Sequence, residues 1–188
     1  MQVLKTISRL AGRALRPVRA GKEHLASARY PAVERIPLES SAFQDGGPLP
    51  ERLTNAEGRN LSPDLRWSAV PAGTQELLLL CEDPDIPMRL PFVHWLLYRI
   101  PAHVRELPEG IGRETHPLNA VSGRNSARKI GYLGPHPPPG HGTHHYTFQL
   151  FALDTPIRID GVATRDDVVK AMEGHVLGVG TLVGTYSR

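Results

Sequence analysis

Glycine and proline set the first limit on what this chain can fold into. Eighteen of each occur in 188 residues, without a collagen-like period. Each proline fixes φ and removes an N–H donor, and glycine favours turns. Many short elements joined by turns are therefore expected, which points to a mostly β architecture over a helix bundle. The length suits one domain with terminal extensions. Between the turns, residues 76–82 (ELLLLCE) read as a buried strand, a continuous apolar run too short for a helix of its own. Residues 92–100 (FVHWLLYRI) and 144–153 (HHYTFQLFAL) read as two more. Strand alternation groups Phe92, His94, Leu96, Tyr98 and Ile100 on one face, and His144, Tyr146, Phe148, Leu150 and Ala152 on another. Thr164 followed by Asp167 resembles a capping box, predicting a helix that ends by Gly174, before a last strand near 182–186.

Charge is unevenly distributed. Residues 1–22 carry six cations (Lys5, Arg9, Arg13, Arg16, Arg19, Lys22) and no acid; of the 22 basic residues, 16 remain to face all 19 acidic ones. The body is mildly acidic and only the arm is basic. No helix-turn-helix, zinc finger or aromatic RNA-binding strand pair is present, so nucleic acid is not expected as a partner. No stretch approaches the ~20 apolar residues of a membrane span, and charges interrupt the N-terminus too often for a secretory signal. A cytoplasmic location is the expectation. Cys81, the single cysteine, excludes an intramolecular disulfide and lies in an apolar run, as a buried thiol does.

Residues 1–30 read as an arm and 31–188 as the domain. Within the arm, Leu4, Ile7, Leu10, Ala11, Ala14 and Leu15 share one helical face, Lys5, Arg9, Arg13 and Arg16 line another, and Pro17 ends or kinks the helix. Such a helix needs a surface to be stable: its own domain, a second copy in a homodimer, or an anionic membrane. Packing on protein, arginines outward, is the expectation.

Three segments carry chemistry. Asp83-Pro84-Asp85-Ile86-Pro87 is a stiff acidic turn directly after the first strand. His94 sits in the second strand. The run from Gly131 through Tyr146 combines glycines, four prolines and four histidines. Imidazoles and a tyrosine hydroxyl can donate to phosphate oxygens, an aspartate can orient an imidazole, and glycines let backbone N–H groups approach a ligand. The residues alone equally allow His94 and His144 to be satisfied core groups. His136, His141, His144 and His145 also raise a metal-dependent hydrolase, although no H-E-x-x-H is present and adjacent strand histidines point to opposite faces.

These segments resemble the signatures of the phosphatidylethanolamine-binding family, also called Raf-kinase-inhibitor-like proteins. The acid-proline turn, the strand histidine and the G-Y-x-G-x-x-P-P loop closing on His144 and Tyr146 occur in the family's order. Asn60-Leu61-Ser62-Pro63, Leu65-Arg66-Trp67, Gly123-Arg124-Asn125 and Gly174-His175-Val176-Leu177 agree further. The likeness spans roughly residues 33–187 and has the flavour of the family's bacterial branch. It implies a β-sandwich-like fold with a few short peripheral helices and a small anion pocket. Asp83, Pro87, His94, His144 and Tyr146 match its lining positions, with Pro138 on the loop wall. It further implies a ligand-binding or regulatory protein for a small phosphate-bearing or other anionic ligand, without cofactor or metal, and a module that can regulate a kinase or another protein partner. No nucleophile is evident, so an enzyme is not expected; a slow phosphoester hydrolase is the alternative.

Overall fold

The computed structural model describes the backbone of residues 2–188 and the side chains of residue 8 and of 10–188. Nine strands form two sheets: β1 (Glu34–Arg35), β2 (Leu38–Glu39), β3 (Leu65–Trp67), β4 (Glu76–Asp83), β5 (Phe92–Pro101), β6 (Glu106–Leu107), β7 (Val121–Ser122), β8 (His144–Leu153) and β9 (Val176–Tyr186). The large sheet has the order β1-β9-β8-β4-β5-β7, and the small one β2-β3-β6. All pairings are antiparallel except β1 with β9.

Residues 76–82 are uniformly apolar because β4 is covered on both sides. Leu77, Leu79 and Cys81 enter the core between the two sheets, with Trp95, Phe148 and Trp67. Leu78 and Leu80 enter a second core on the outer face of the large sheet, with Tyr98, Phe151, Val168 and Met172. The last two belong to or follow helix α2 (Arg165–Ala171), which opens with the expected box: Thr164 accepts from the Asp167 N–H while the Asp167 carboxylate accepts from Thr164. A mostly β sandwich with few helices is thus what the chain forms.

Two expectations about the strands need correction. Strand β9 begins at Val176, six residues before the predicted start, because glycines hide it. A Cβ at Gly180 would come within 2.7 Å of the Ile36 carbonyl oxygen, and one at Gly184 within 2.3 Å of Leu49. Those positions admit crossing chain where a side chain would stand. The alternation along β5 is also broken. Cys81 pairs with Trp95 and Glu82 with Val93, so His94 is the extra residue of a bulge. Leu96 and Tyr98 lie in the outer core with Val93, whereas Ile100 joins Trp95 and Leu97 between the sheets. Arg99, with φ of 58°, makes the second break.

Helix α1 (Gln2–Leu15) precedes the sheets. Of its predicted stripe, Leu4 and Ile7, like the Lys5 and Arg9 side chains, lie outside the described residues. Leu10, Ala11, Ala14 and Leu15 are exposed. The helix meets the body instead through buried Gly12, and Arg16 and Arg19 turn inward: Arg16 Nε donates to the Gly140 carbonyl at 2.8 Å, and Arg19 pairs with Asp85. Among the described residues, then, the stripe does not face inward, and Arg16 and Arg19 contact the body while Arg13 stays exposed. Further along, Ala20 N–H donates to Ile86 and Gly21 N–H to Pro84, and Ala26 is wholly buried in the outer core.

Candidate functional site

At the end of β4 the chain leaves through Asp83-Pro84-Asp85-Ile86-Pro87, with both X-Pro bonds trans. Asp83 Oδ1 accepts from the Asp85 N–H at 2.8 Å, closing an Asx turn that fixes the acid's direction. Beside it, the β5 bulge swings His94 onto the face of the large sheet that carries Tyr146 of β8; their ring centroids are 4.9 Å apart. The 131–143 loop folds over both. Together these elements enclose a cleft of about 90 Å³ lined by Asp83, Ile86, Phe92, His94, Leu133, Gly134, His136, Pro137 and Tyr146.

Three of the expected residues, Asp83, His94 and Tyr146, line this cleft. Ile86 takes the place expected for Pro87, and Pro137 that expected for Pro138. His144 is wholly buried and lies behind Asp83: its Nδ1 is 2.7 Å from Asp83 Oδ2, and its Nε2 is 2.7 Å from Nδ1 of His141. It orients the acid rather than lining the cleft. Phe92, Leu133, Gly134 and His136 were not singled out as site residues. Leu133, Gly134 and His136 stood within the 131–146 run and Phe92 in the second predicted strand, but no pattern separates an exposed loop histidine at a cleft from one in solvent.

The polar groups differ in how well they are satisfied. His94 Nδ1 donates to the Leu133 carbonyl, and its Nε2 has no partner among the described residues. Burial pushes the His94 pKa below its ordinary value, assisted by nearby His144 and opposed by Asp83 and the Leu133 bond, so the neutral ring is favoured. The Tyr146 hydroxyl is buried without a hydrogen-bond partner among the described residues. Burial, and next the Asp83 charge, push its pKa far above that of an ordinary phenol, so it remains an O–H donor. Outside the cleft, Asp85 accepts from both the N–H and Nδ1 of His145 at 2.7 Å and pairs with Arg19. Burial works against its charge, but these partners hold its carboxyl below the usual range.

A larger cleft of about 470 Å³ lies among Met88, Leu90, Arg124, Ser126, Arg128 and Arg165. Its one buried amide, Asn125, donates to the Gly131 carbonyl and accepts from the Ala127 and Lys129 N–H groups. Among the described residues, no buried polar side-chain atom of that cleft is left without a partner, whereas the small cleft holds one, the Tyr146 hydroxyl. As for metal, no group of three or more His, Cys, Asp or Glu among the described residues is placed to hold an ion. The clustered histidines disperse: His136 stands at the cleft, His141 and His144 bond each other, and His145 faces Asp85.

Comparison with known proteins identifies the family to which this fold belongs. Residues 39–187 match the profile of the phosphatidylethanolamine-binding protein family. This chain belongs to that family. A UPF0098 protein of Pyrococcus abyssi is 41% identical over 158 residues, covering 82% of this chain and 87% of that protein. A UPF0098 protein of Methanothermobacter thermautotrophicus is 42% identical over 154 residues, covering 80% of this chain and 98% of its own length. Among solved structures, YbcL of E. coli, described as a member of the mammalian family, aligns with a TM-score of 0.76 at 32% identity, covering 81% of this chain and 98% of YbcL. A putative family homolog from Chlamydia trachomatis gives 0.74 at 34%, covering 82% of this chain and 99% of that one. Relatives of comparable similarity are thus archaeal as well as bacterial, so the bacterial flavour read from the sequence is not exclusive. The match leaves residues 1–38 outside it. No helix among the described residues is long and apolar enough to cross a membrane.

Proposed function

We propose that this family member is a binding protein whose ligand is a small anion bearing phosphate or a chemically similar group, held in the Asp83–His94–Tyr146 cleft. The observation that carries this reading is the Tyr146 hydroxyl, a buried donor without a partner. Leaving such a donor unmade costs roughly 1–3 kcal/mol, a cost that a ligand oxygen removes. His94 Nε2 is the second free position. It can take a proton from a protonated phosphate oxygen, or become an imidazolium donor beside an anion. A cleft of about 90 Å³ matches a head group and not a whole lipid.

The cleft offers no serine, threonine or cysteine nucleophile, and binding without turnover is the proposed reading. Cys81 is buried with its thiol pushed well up by desolvation.

Calorimetric titration of the full chain with inorganic phosphate and with phosphorylethanolamine tests the proposal. One equivalent should bind, and His94→Ala should weaken it by roughly 1.5–3 kcal/mol, the range for a hydrogen bond to a charged group. Absence of saturable binding, or equal affinity in wild type and variant, would sink it.

A further inference from the structure

Leu15, at the end of α1, reaches the cleft through a row of three hydrogen bonds. Its carbonyl accepts from His141 Nε2 at 2.9 Å, His141 Nδ1 meets His144 Nε2 at 2.7 Å, and His144 Nδ1 meets Asp83 Oδ2 at 2.7 Å. Both imidazoles are wholly buried. Each bond in such a row holds one proton, and a backbone carbonyl can only accept. Three bonds therefore need three protons. A carboxylate and two neutral imidazoles supply two. The row must carry one more, and wherever that proton rests, the charge of Asp83 is cancelled.

The Leu15 carbonyl alone forces this count. Water in its place could donate as readily as accept. Two protons would then suffice, with His141 in its Nδ1–H tautomer donating to His144 and His144 donating to an ionised Asp83. Asp83 lines the cleft, so the difference is one negative charge beside the ligand. Near the row also stand His94, whose neutral form burial favours, the phenol of Tyr146, the buried thiol of Cys81, and Arg19, which donates to the Thr143 carbonyl. Neighbouring Asp85 is matched separately by His145 and Arg19.

The arm is fitted to hold this position. Gly12 passes the 138–141 loop so closely that a Cβ there would lie 2.1 Å from the Pro139 carbonyl oxygen. Arg16 bonds the Gly140 carbonyl, Arg19 pairs with Asp85, and Ala20 and Gly21 bond the 84–86 backbone. Both walls of the cleft are thereby strapped to a segment that lies outside the family match.

We infer that the N-terminal arm determines the specificity of the cleft: docked, its Leu15 carbonyl obliges the His141–His144–Asp83 row to hold an extra proton, so that the cleft accepts an anion; released, it leaves Asp83 ionised and disfavours one. His141 and Leu15 are positioning residues, since neither lines the cleft. The anion half of this statement rests on the proposed function; the proton count does not.

Two full-length variants release the arm by different means. Gly12→Val places a side chain against the Pro139 carbonyl, and the double variant Arg16→Ala with Arg19→Ala removes polar anchors. Ring-nitrogen 15N shifts of His141 and His144 and the Asp83 carboxyl 13C shift, recorded without ligand near neutral pH, count the protons. Wild type should show three, with His141 protonated at Nε2. The variants should show two, with the His141 proton on Nδ1. Inorganic phosphate should bind both variants on the order of 10- to 100-fold more weakly, as a unit charge a few ångströms away in a partly buried site requires. Two protons in wild type, or the same count in wild type and variants, overturns the inference. A changed count with unchanged phosphate affinity overturns the role in specificity. Failure of wild type itself to bind phosphate refutes the anion reading, while the count still decides the row.

Discussion

His94 is aimed at the cleft by one inserted residue. A bulge opposite Cys81 and Glu82 puts it on the same side of the sheet as Trp95 and Tyr146, and burial then keeps the ring neutral. That combination has a sign that can be checked. An anion favours the imidazolium, so binding should take up a proton and strengthen as pH falls. Sulfate isolates the protein's proton, because its own charge is constant near neutrality; its affinity should rise between about pH 8 and pH 6 in wild type and stay flat in His94→Gln. In the free protein the sign reverses. The folded His94 pKa is lowered, so below about 6.5 the unfolded chain binds a proton that the folded one refuses, and stability is lost as pH falls. Melting curves of wild type should lose more from pH 8 to pH 5.5 than those of His94→Gln. Tyr146 should show a trade-off. Tyr146→Phe deletes an unbonded buried hydroxyl, so denaturant unfolding should find the free protein unchanged or up to about 1 kcal/mol more stable, while phosphate binding weakens by roughly 1.5–3 kcal/mol. A variant that is both less stable and equally tight would mean that the hydroxyl has a partner within the fold. Asp83, His94 and Tyr146 could be picked out in the sequence because each sits at a motif position. The place of His144 behind Asp83 could not, since its burial depends on His141 and on an arm that the motif does not include.

At the scale of elements, apolar runs were readable where both faces of a strand are covered, as in β4, and alternation was readable through β8, whose Tyr146, Phe148, Leu150 and Ala152 all enter the inner core. It failed in β5 and β9 for different reasons. A bulge adds a residue without altering composition, and the β9 glycines look like turn residues when they are close-approach positions. Gly180→Val should cost about 1–3 kcal/mol by overpacking against Ile36 and Leu38, measurable as a lower urea midpoint. A stronger effect belongs to Glu82, wholly buried near the end of β4. It accepts from the Ala26 N–H and Gln149 and pairs with Arg165 of α2. Glu82→Ala strands the mostly buried guanidinium and should cost roughly 3–5 kcal/mol. Glu82 faces the outer core, away from the cleft, so phosphate affinity in the surviving folded fraction should be unchanged.

Across the whole molecule, the basic arm and acidic body that composition separated are joined at the site itself. Composition indicated that the arm would be attracted to the body, but the seam could not be read from a hydrophobic stripe. Contact is made by a glycine, a main-chain carbonyl and two arginines, while Leu10, Leu15 and Val18 remain exposed. Amphipathic pattern foretells which face avoids water only when apolar burial drives docking, and here hydrogen bonds and an ion pair do. The proposed function requires a ligand between Tyr146 and His94. A crystal structure of the full chain grown with inorganic phosphate tests that most directly. Phosphate oxygens should lie about 2.5–2.9 Å from the Tyr146 hydroxyl and from His94 Nε2, the spacing of charge-assisted hydrogen bonds. Phosphate bound only elsewhere, with the Tyr146 hydroxyl bonded to protein or to water alone, would contradict it.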